Sequence, residues 1–394
     1  MWKAPALKER YDVVIIGGGV HGLAAAYYLG KLGIRDVCVL EKNYIGSGGS
    51  GRNTAIIRSN YRTPEGVAFY DESVRLYEDL SIQLGYNVLF SQQGHLTIAH
   101  TESAINGLRV RAEVNKLLGV NSEVIGPAEI KKLVPAIDIS SRQRYPIHAA
   151  LYHPPGGIIR HDAVVWGYAR EADRMGAAIH PFTEATAIGT ANGQVTAVQT
   201  NRGEIRTGTV LNATAGFCST VAKMAGVRLP VVTHPLQALV TEPLTPFLHC
   251  VIVSATLHVY VSQTDRGELV IGSEIDPYST YSSRSTLQFL QSSAGHTLEL
   301  FPCLRHVRVL RQWAGLCDMT PDYSPIMGVV PGLKGLILDV GWGTYGFKAG
   351  PVAGKRIAEL ISTGKTPSVL VPFSIQRFWD DQLVGEKAAA AVSH

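Results

Sequence analysis

Two cations stand where apolar chain gives way to a turn. Arg58 closes the run Thr54-Ala-Ile-Ile-Arg58, and Lys348 closes Gly341-Trp-Gly-Thr-Tyr-Gly-Phe-Lys348. A guanidinium is a planar fork that takes a carboxylate through two parallel hydrogen bonds, and an ammonium adds a point charge. Together they could hold a small carboxylate. A surface salt bridge for Arg58 and helix capping for Lys348 are the alternatives. His258 and Tyr260 alternate in His258-Val-Tyr-Val-Ser262, so a strand there puts both on one face, lining a pocket or packing in a sheet. His161 stands before Asp162, a plausible N-cap for an amphipathic helix running through Met175. At that helix start the histidine either contributes to the cap or has a chemical role.

These groups need elements to position them. Val13-Val-Ile-Ile16 reads as a buried strand, followed by Gly17, Gly19 and Gly22 in G-x-G-x-x-G and by Leu23–Leu29 at helical spacing. The glycines provide a tight turn, room for a pyrophosphate against backbone, and close helix–strand packing. The helix start offers free N–H groups to that pyrophosphate. A second strand, Val37–Leu40, ends at Glu41, 19 residues beyond Gly22 and suited to a ribose hydroxyl. The flexible loop Gly46–Asn53 brings Gly49, Ser50, Arg52 and Asn53 to wrap a cofactor, unless it is a simple linker. Thr209–Gly216 reads as a strand ending in small residues, so Ala215 allows close approach of a ligand. A strand over 335–340 leads through Gly343, Gly346, Phe347 and Lys348, further cofactor candidates, into a helix over 350–361. An ordinary α/β unit with a glycine-rich turn is the alternative for the opening fingerprint. The motif specifies a dinucleotide, but neither which one nor what reaction.

Helical patterns over 66–85 and 102–118, and alternating strands over 230–315, complete an α/β plus α+β chain. A Rossmann-type domain is expected from 1–87, 151–218 and 319–394, with a mostly antiparallel-sheet domain from 88–150 and 219–318 interleaved. The chain has 394 residues, is 46% hydrophobic and carries a net charge of +4 without a block of like charge, which gives no footprint for nucleic acid. Its five cysteines show no C-x-x-C spacing, consistent with reduced thiols in a cytoplasmic protein and with neither a disulfide framework nor a metal site. The start lacks the apolar core of a signal peptide, and the one long uncharged run, 13–30, contains the glycine fingerprint, so no membrane span is expected.

Beyond the fingerprint, several runs carry a resemblance. They are Thr54–Arg58, Gly157-Ile-Ile-Arg-His-Asp-Ala-Val164, His234-Pro-Leu-Gln-Ala-Leu239, His258–Gln263, Thr320-Pro-Asp-Tyr-Ser-Pro325, Gly341–Lys348, Pro372-Phe-Ser374 and the alanine-rich end at His394. With these the chain resembles the flavin-dependent amine oxidases related to D-amino-acid oxidase and sarcosine oxidase, and within them the β subunits of the heterotetrameric branch.

The resemblance implies FAD in this chain and oxidation of an N-methyl amino acid such as sarcosine. Arg58 and Lys348 match positions that hold the substrate carboxylate, and His258 and Tyr260 become candidates for the pocket. His161 matches the histidine that carries covalent FMN, from which electrons reduce dioxygen to hydrogen peroxide. The implied partners are an α subunit with a folate domain and smaller γ and δ subunits. Related L-proline dehydrogenases, opine-oxidising subunits and a non-catalytic electron-transfer subunit are the alternatives. Two departures stand out. Gly315 falls where monomeric relatives attach FAD through cysteine, with Cys317 two residues on, so FAD is expected to be non-covalent. Glu274 falls where those relatives place a lysine that activates oxygen, and a carboxylate cannot stabilise forming superoxide as a cation does.

Overall fold

Val13–Ile16 is buried along its whole length, because both of its faces are covered: Val13 and Ile15 share a core with helices 20–31 and 346–363, and Val14 and Ile16 share one with the strands over 185–206 and the short helix 218–223. It pairs in parallel with Val37–Glu41 on one side and Val210–Asn212 on the other. Ala178–Pro181 and Leu333–Val340 continue the sheet outward in the same sense. Ala185–Ala191, Gln194–Thr200, Gly203–Arg206 and Ile326–Val330 bring it to nine strands among the described residues. The structure is a computed structural model and describes residues 2–386, so the alanine-rich end at His394 lies outside the described residues. The strand expected over 209–216 is only three residues long. Ala215 takes φ +47° and the small residues turn away from the sheet edge.

Helices Val20–Lys31 and Gly346–Thr363 lie against each other. A Cβ on Gly350 would come within 2.5 Å of Val20, and one on Gly354 within 2.5 Å of Ala24, so small residues set this close approach. The second helix begins four residues before the expected Gly350. Pro351 cannot donate to the Phe347 carbonyl, which would normally leave that oxygen unpaired. The Tyr77 hydroxyl donates to it at 2.6 Å, and the Ser73 hydroxyl donates to the Lys348 carbonyl at 2.5 Å. Helix Pro64–Gln83 thus closes a turn that the proline opens, and Lys348 sits inside the first turn rather than before it.

A second sheet runs Val309–Met319, Val232–Pro243, Glu268–Ile275, Val259–Gln263, Val251–Ser254, His95–Ala99, Ala149–His153, Glu123–Ile125. It is antiparallel except where Val251–Ser254 meets His95–Ala99. Two strands, Ala149–His153 and Val309–Met319, cross the expected boundaries at 150 and 318. Helix Leu287–Leu300, inside the stretch expected to be strands, buries Phe289 and Leu300 in the core under this sheet. Its start is set by Thr286, whose hydroxyl accepts from the Phe289 N–H at 3.1 Å.

A two-stranded piece joins Ile56–Ile57 to Gly157–Ile158. Helix His161–Arg174 follows it, with Arg160 rather than Asp162 at the N-cap. Asp162 lies within the first turn, 3.2 Å from the Arg160 guanidinium, where a carboxylate still favours the positive helix end. His161 is therefore the first helical residue. Among the described residues no helix is long and apolar enough to cross a membrane.

Candidate active site

One cavity of about 590 Å³ runs between the two sheets, well within the size range of small-molecule sites. At one end it meets the fingerprint. Gly17 has φ +121°, and a Cβ there would come within 2.3 Å of the Ala213 carbonyl oxygen. A Cβ on Gly22 would meet the Gly17 carbonyl oxygen at 2.0 Å, so Gly22 lets the helix pack on the turn and lies behind the cavity wall. Gly19 faces the cavity, and the Ser50 hydroxyl accepts from the Val20 N–H at 2.9 Å. The loop 46–53 is thereby docked on the helix start. Glu41 accepts from the N–H groups of Gly18 at 3.0 Å and Asn43 at 2.9 Å. Its carboxylate is fixed at the end of the second strand and retains acceptor capacity for a hydroxyl. Gly49, Ser50, Arg52, Asn53, Ala215, Gly343, Gly346 and Phe347 all line the same cavity. Bare backbone, a helix start and a fixed carboxylate are what the pyrophosphate and ribose of FAD require.

The other end is cationic. Arg58 and Lys348 both line it; Arg58 is buried and Lys348 half-buried. The Arg58 guanidinium lies 4.4 Å from the centre of the Tyr61 ring and donates to the Asn60 side-chain oxygen at 3.0 Å. The three residues after it are each held by a side chain from the second sheet or its covering helix. The Ser59 N–H donates to His153 Nε2 at 3.2 Å. The Asn60 carbonyl accepts from Arg111 Nε at 2.6 Å, and the Tyr61 carbonyl accepts from Asn115 Nδ2 at 2.8 Å. Arg111 and Asn115 are one turn apart on helix Glu102–Leu117 and so share a face. His153 Nδ1 donates to the Asn121 carbonyl at 2.7 Å, which leaves Nε2 as the acceptor. Burial depresses this imidazole to about 3, so it stays neutral. Lys348 donates to the Thr344 carbonyl at 3.3 Å. Burial, then the nearby Arg58 charge, pulls its pKa down to about 7.

The turn between these ends is held by a network that spacing alone did not reveal. His21, inside the fingerprint, places Nδ1 3.0 Å from Asp339 and Nε2 2.7 Å from the Gly346 carbonyl. Both partners only accept, so both ring nitrogens carry hydrogen. Burial opposes that charge, but Asp339 and the carbonyl outweigh it and raise the pKa. Trp342 Nε1 donates to Asp339 at 2.7 Å, and the Gly341 N–H donates to Asp318 at 2.6 Å. Neither Asp318 nor Asp339 belongs to a recognisable motif. Asp339 comes from strand 333–340 of the first sheet and Asp318 from strand 309–319 of the second, so only the packing of the two sheets brings them to one turn.

Tyr260 lines the cavity; His258 does not. His258 has φ +48° in the turn before the strand and lies 2.9 Å from Glu274. The shared face expected for the pair is therefore absent, because the strand begins one residue later, at Val259. The Tyr260 ring crosses over Gly272, directly opposite on the neighbouring strand. Burial pushes its hydroxyl up to about 12. Glu274 also lies off the cavity, which takes Ser273 from that strand instead. Gly315 and Cys317 both line it, and Cys317 is a buried free thiol. His161 stands outside, half-buried, its ring edge-on to Phe347 at 6.5 Å. Burial lowers its pKa, favouring the neutral imidazole.

Comparison with known proteins gives the family and the fold. Residues 12–360 match the FAD dependent oxidoreductase family. The chain is 43% identical to sarcosine oxidase subunit beta of Rhodobacter capsulatus over 394 residues, covering 100% of this chain and 94% of that one. The subunit beta from Arthrobacter sp is also 43% identical, with 100% and 97% covered. The crystal structure of L-proline dehydrogenase from P. horikoshii superposes with a TM-score of 0.91 at 30% identity, over 96% of this chain and 100% of that one. With a fingerprint that fits the cofactor and full-length relatives of this kind, the chain belongs to the FAD dependent oxidoreductase family and is an FAD-dependent oxidoreductase.

Proposed function

We propose that this chain is the catalytic flavin subunit of a heteromeric sarcosine oxidase, with FAD held non-covalently and FMN attached at His161 as the exit for electrons to dioxygen, forming hydrogen peroxide. A flavin-dependent amine oxidase is what its relatives support. The observation that carries the finer reading is the convergence of Arg58 and Lys348 at the cationic end of the cavity that begins at the fingerprint. Bound FAD would supply the hydride acceptor. The chain's own residues do the rest. Arg58 and Lys348 hold the substrate carboxylate, which turns the amine-bearing carbon toward the flavin end. Tyr260 and the apolar wall around it limit water. Gly315 offers no atom to attach FAD, and no lysine comes from the Glu268–Ile275 strand to meet oxygen. His161, neutral and one ring away from Phe347, is suited to carry a second flavin at the surface. The relatives are named as β subunits, which supports a complex; α, γ and δ partners in the cytoplasm complete the reading.

Two measurements test it. Anaerobic addition of sarcosine to the purified complex should bleach the flavin, and Arg58→Ala should slow that reduction by about 10- to 100-fold, the worth of one charged hydrogen-bonded contact. Denaturation should release FAD and leave FMN on this chain. Release of both flavins removes the assignment at His161. The fold of the proline enzyme favours a second reading, since proline is also a secondary amine with an α-carboxylate. Faster bleaching by L-proline than by sarcosine would select it.

A further inference from the structure

Two histidines stand side by side on the second sheet. His95 and His153 are direct antiparallel partners on neighbouring strands, so they share one face of it. His153 is fully used: one nitrogen holds Asn121 and the other holds Ser59. His95 is not. It is 2% exposed, its Nδ1 is buried without a hydrogen-bond partner, and the residue lines the cavity. Nδ1 is too enclosed for a ligand atom to reach, so the ring meets the cavity through its other edge, where no described protein group pairs with Nε2. The space for the ring is built: a Cβ on Gly156 would come within 2.7 Å of the His95 Cβ. Arg58, Arg111 and Lys348 all act on His95 as like charges and, after burial, hold it neutral. A neutral imidazole keeps one N–H to donate. In a recess whose nearby charges are cations, the matching ligand atom is an anionic oxygen.

We infer that His95 is a substrate-contacting residue, donating a hydrogen bond to the carboxylate held by Arg58 and Lys348 and so setting affinity for carboxylate-bearing amines. The inference rests on the proposed role of Arg58 and Lys348, and its test is separable from the identity of the substrate. Propionate, which has a carboxylate and no amine, is titrated into the flavin-loaded complex and followed by the flavin absorbance change. His95→Val should raise the propionate Kd about tenfold, while His95→Gln, which keeps a donor, should stay within about threefold of the parent. Thermal melting of both variants without ligand should match the parent. Should His95→Val not accumulate as folded flavoprotein, His95→Leu takes its place. An unchanged Kd in the apolar variant, or an equal loss in the glutamine variant, overturns the inference. Sarcosine bleaching of the parent together with an unchanged Kd in His95→Val would sink His95 alone. No bleaching by sarcosine, with propionate still weakened by His95→Val, would sink the sarcosine reading and leave His95 standing.

Discussion

His21 Nδ1 and the Asp339 carboxylate lie 3.0 Å apart in a buried pair that ties the fingerprint helix to the end of the strand before Gly341. The other ring nitrogen reaches the Gly346 carbonyl. One side chain thus fixes the helix that receives the dinucleotide relative to the turn that delivers Lys348. The two ends of the sequence that build the site are locked together here.

Removing the imidazole leaves Asp339 buried without its cation. His21→Asn is expected to destabilise the folded chain by about 3–5 kcal/mol, measured by denaturant unfolding at pH 6. The raised pKa gives the effect a sign. The pair contributes fully below the ordinary histidine value of 6.5 and is lost as pH rises through the higher folded value. The gap in Tm between the parent and the variant should therefore narrow as pH increases above 6.5.

Burial of the ammonium, then the neighbouring Arg58 charge, pulls the Lys348 pKa down to about 7. Only its protonated form attracts a carboxylate. Propionate affinity should fall as pH rises through 7, approaching tenfold per unit, when followed by flavin absorbance. Lys348→Met should bind more weakly and show a flat profile across that range.

Gly272 has no room for a side chain. An added Cβ would come within 2.0 Å of the Tyr260 hydroxyl oxygen. Gly272→Ala is expected to cost about 1–3 kcal/mol by overpacking. The cost should shrink when Tyr260→Ala is already present, so that a double-mutant cycle by urea denaturation gives a clear coupling.

Asn115 holds the Tyr61 carbonyl, and its loss strands a buried acceptor. Asn115→Ala should destabilise by about 1–3 kcal/mol. It should also loosen the segment after Arg58, seen as a rise in the propionate Kd of a few-fold. Arg109, exposed on the same helix, provides the control: Arg109→Ala should change neither quantity.

Local sequence determined the parts whose chemistry is local. Gly17 and Gly22 can be only glycine where they stand, so the dinucleotide turn, its strand and Glu41 were legible from spacing. Arg58 and Lys348 were legible as cations at element ends, and the runs around them carried the family. Tertiary structure decided what depends on distant partners. The helix holding Lys348 starts before Pro351, and the Phe347 carbonyl that the proline leaves open is satisfied by Tyr77 from another helix, with Ser73 bonding the next carbonyl. His258 left the expected face because it is itself the left-handed turn residue before a strand that starts one position later. His95 and His21 have no signature of their own. A neutral imidazole facing cations and a charged one facing Asp339 differ only in what the fold packs around them, and burial makes those neighbours decisive.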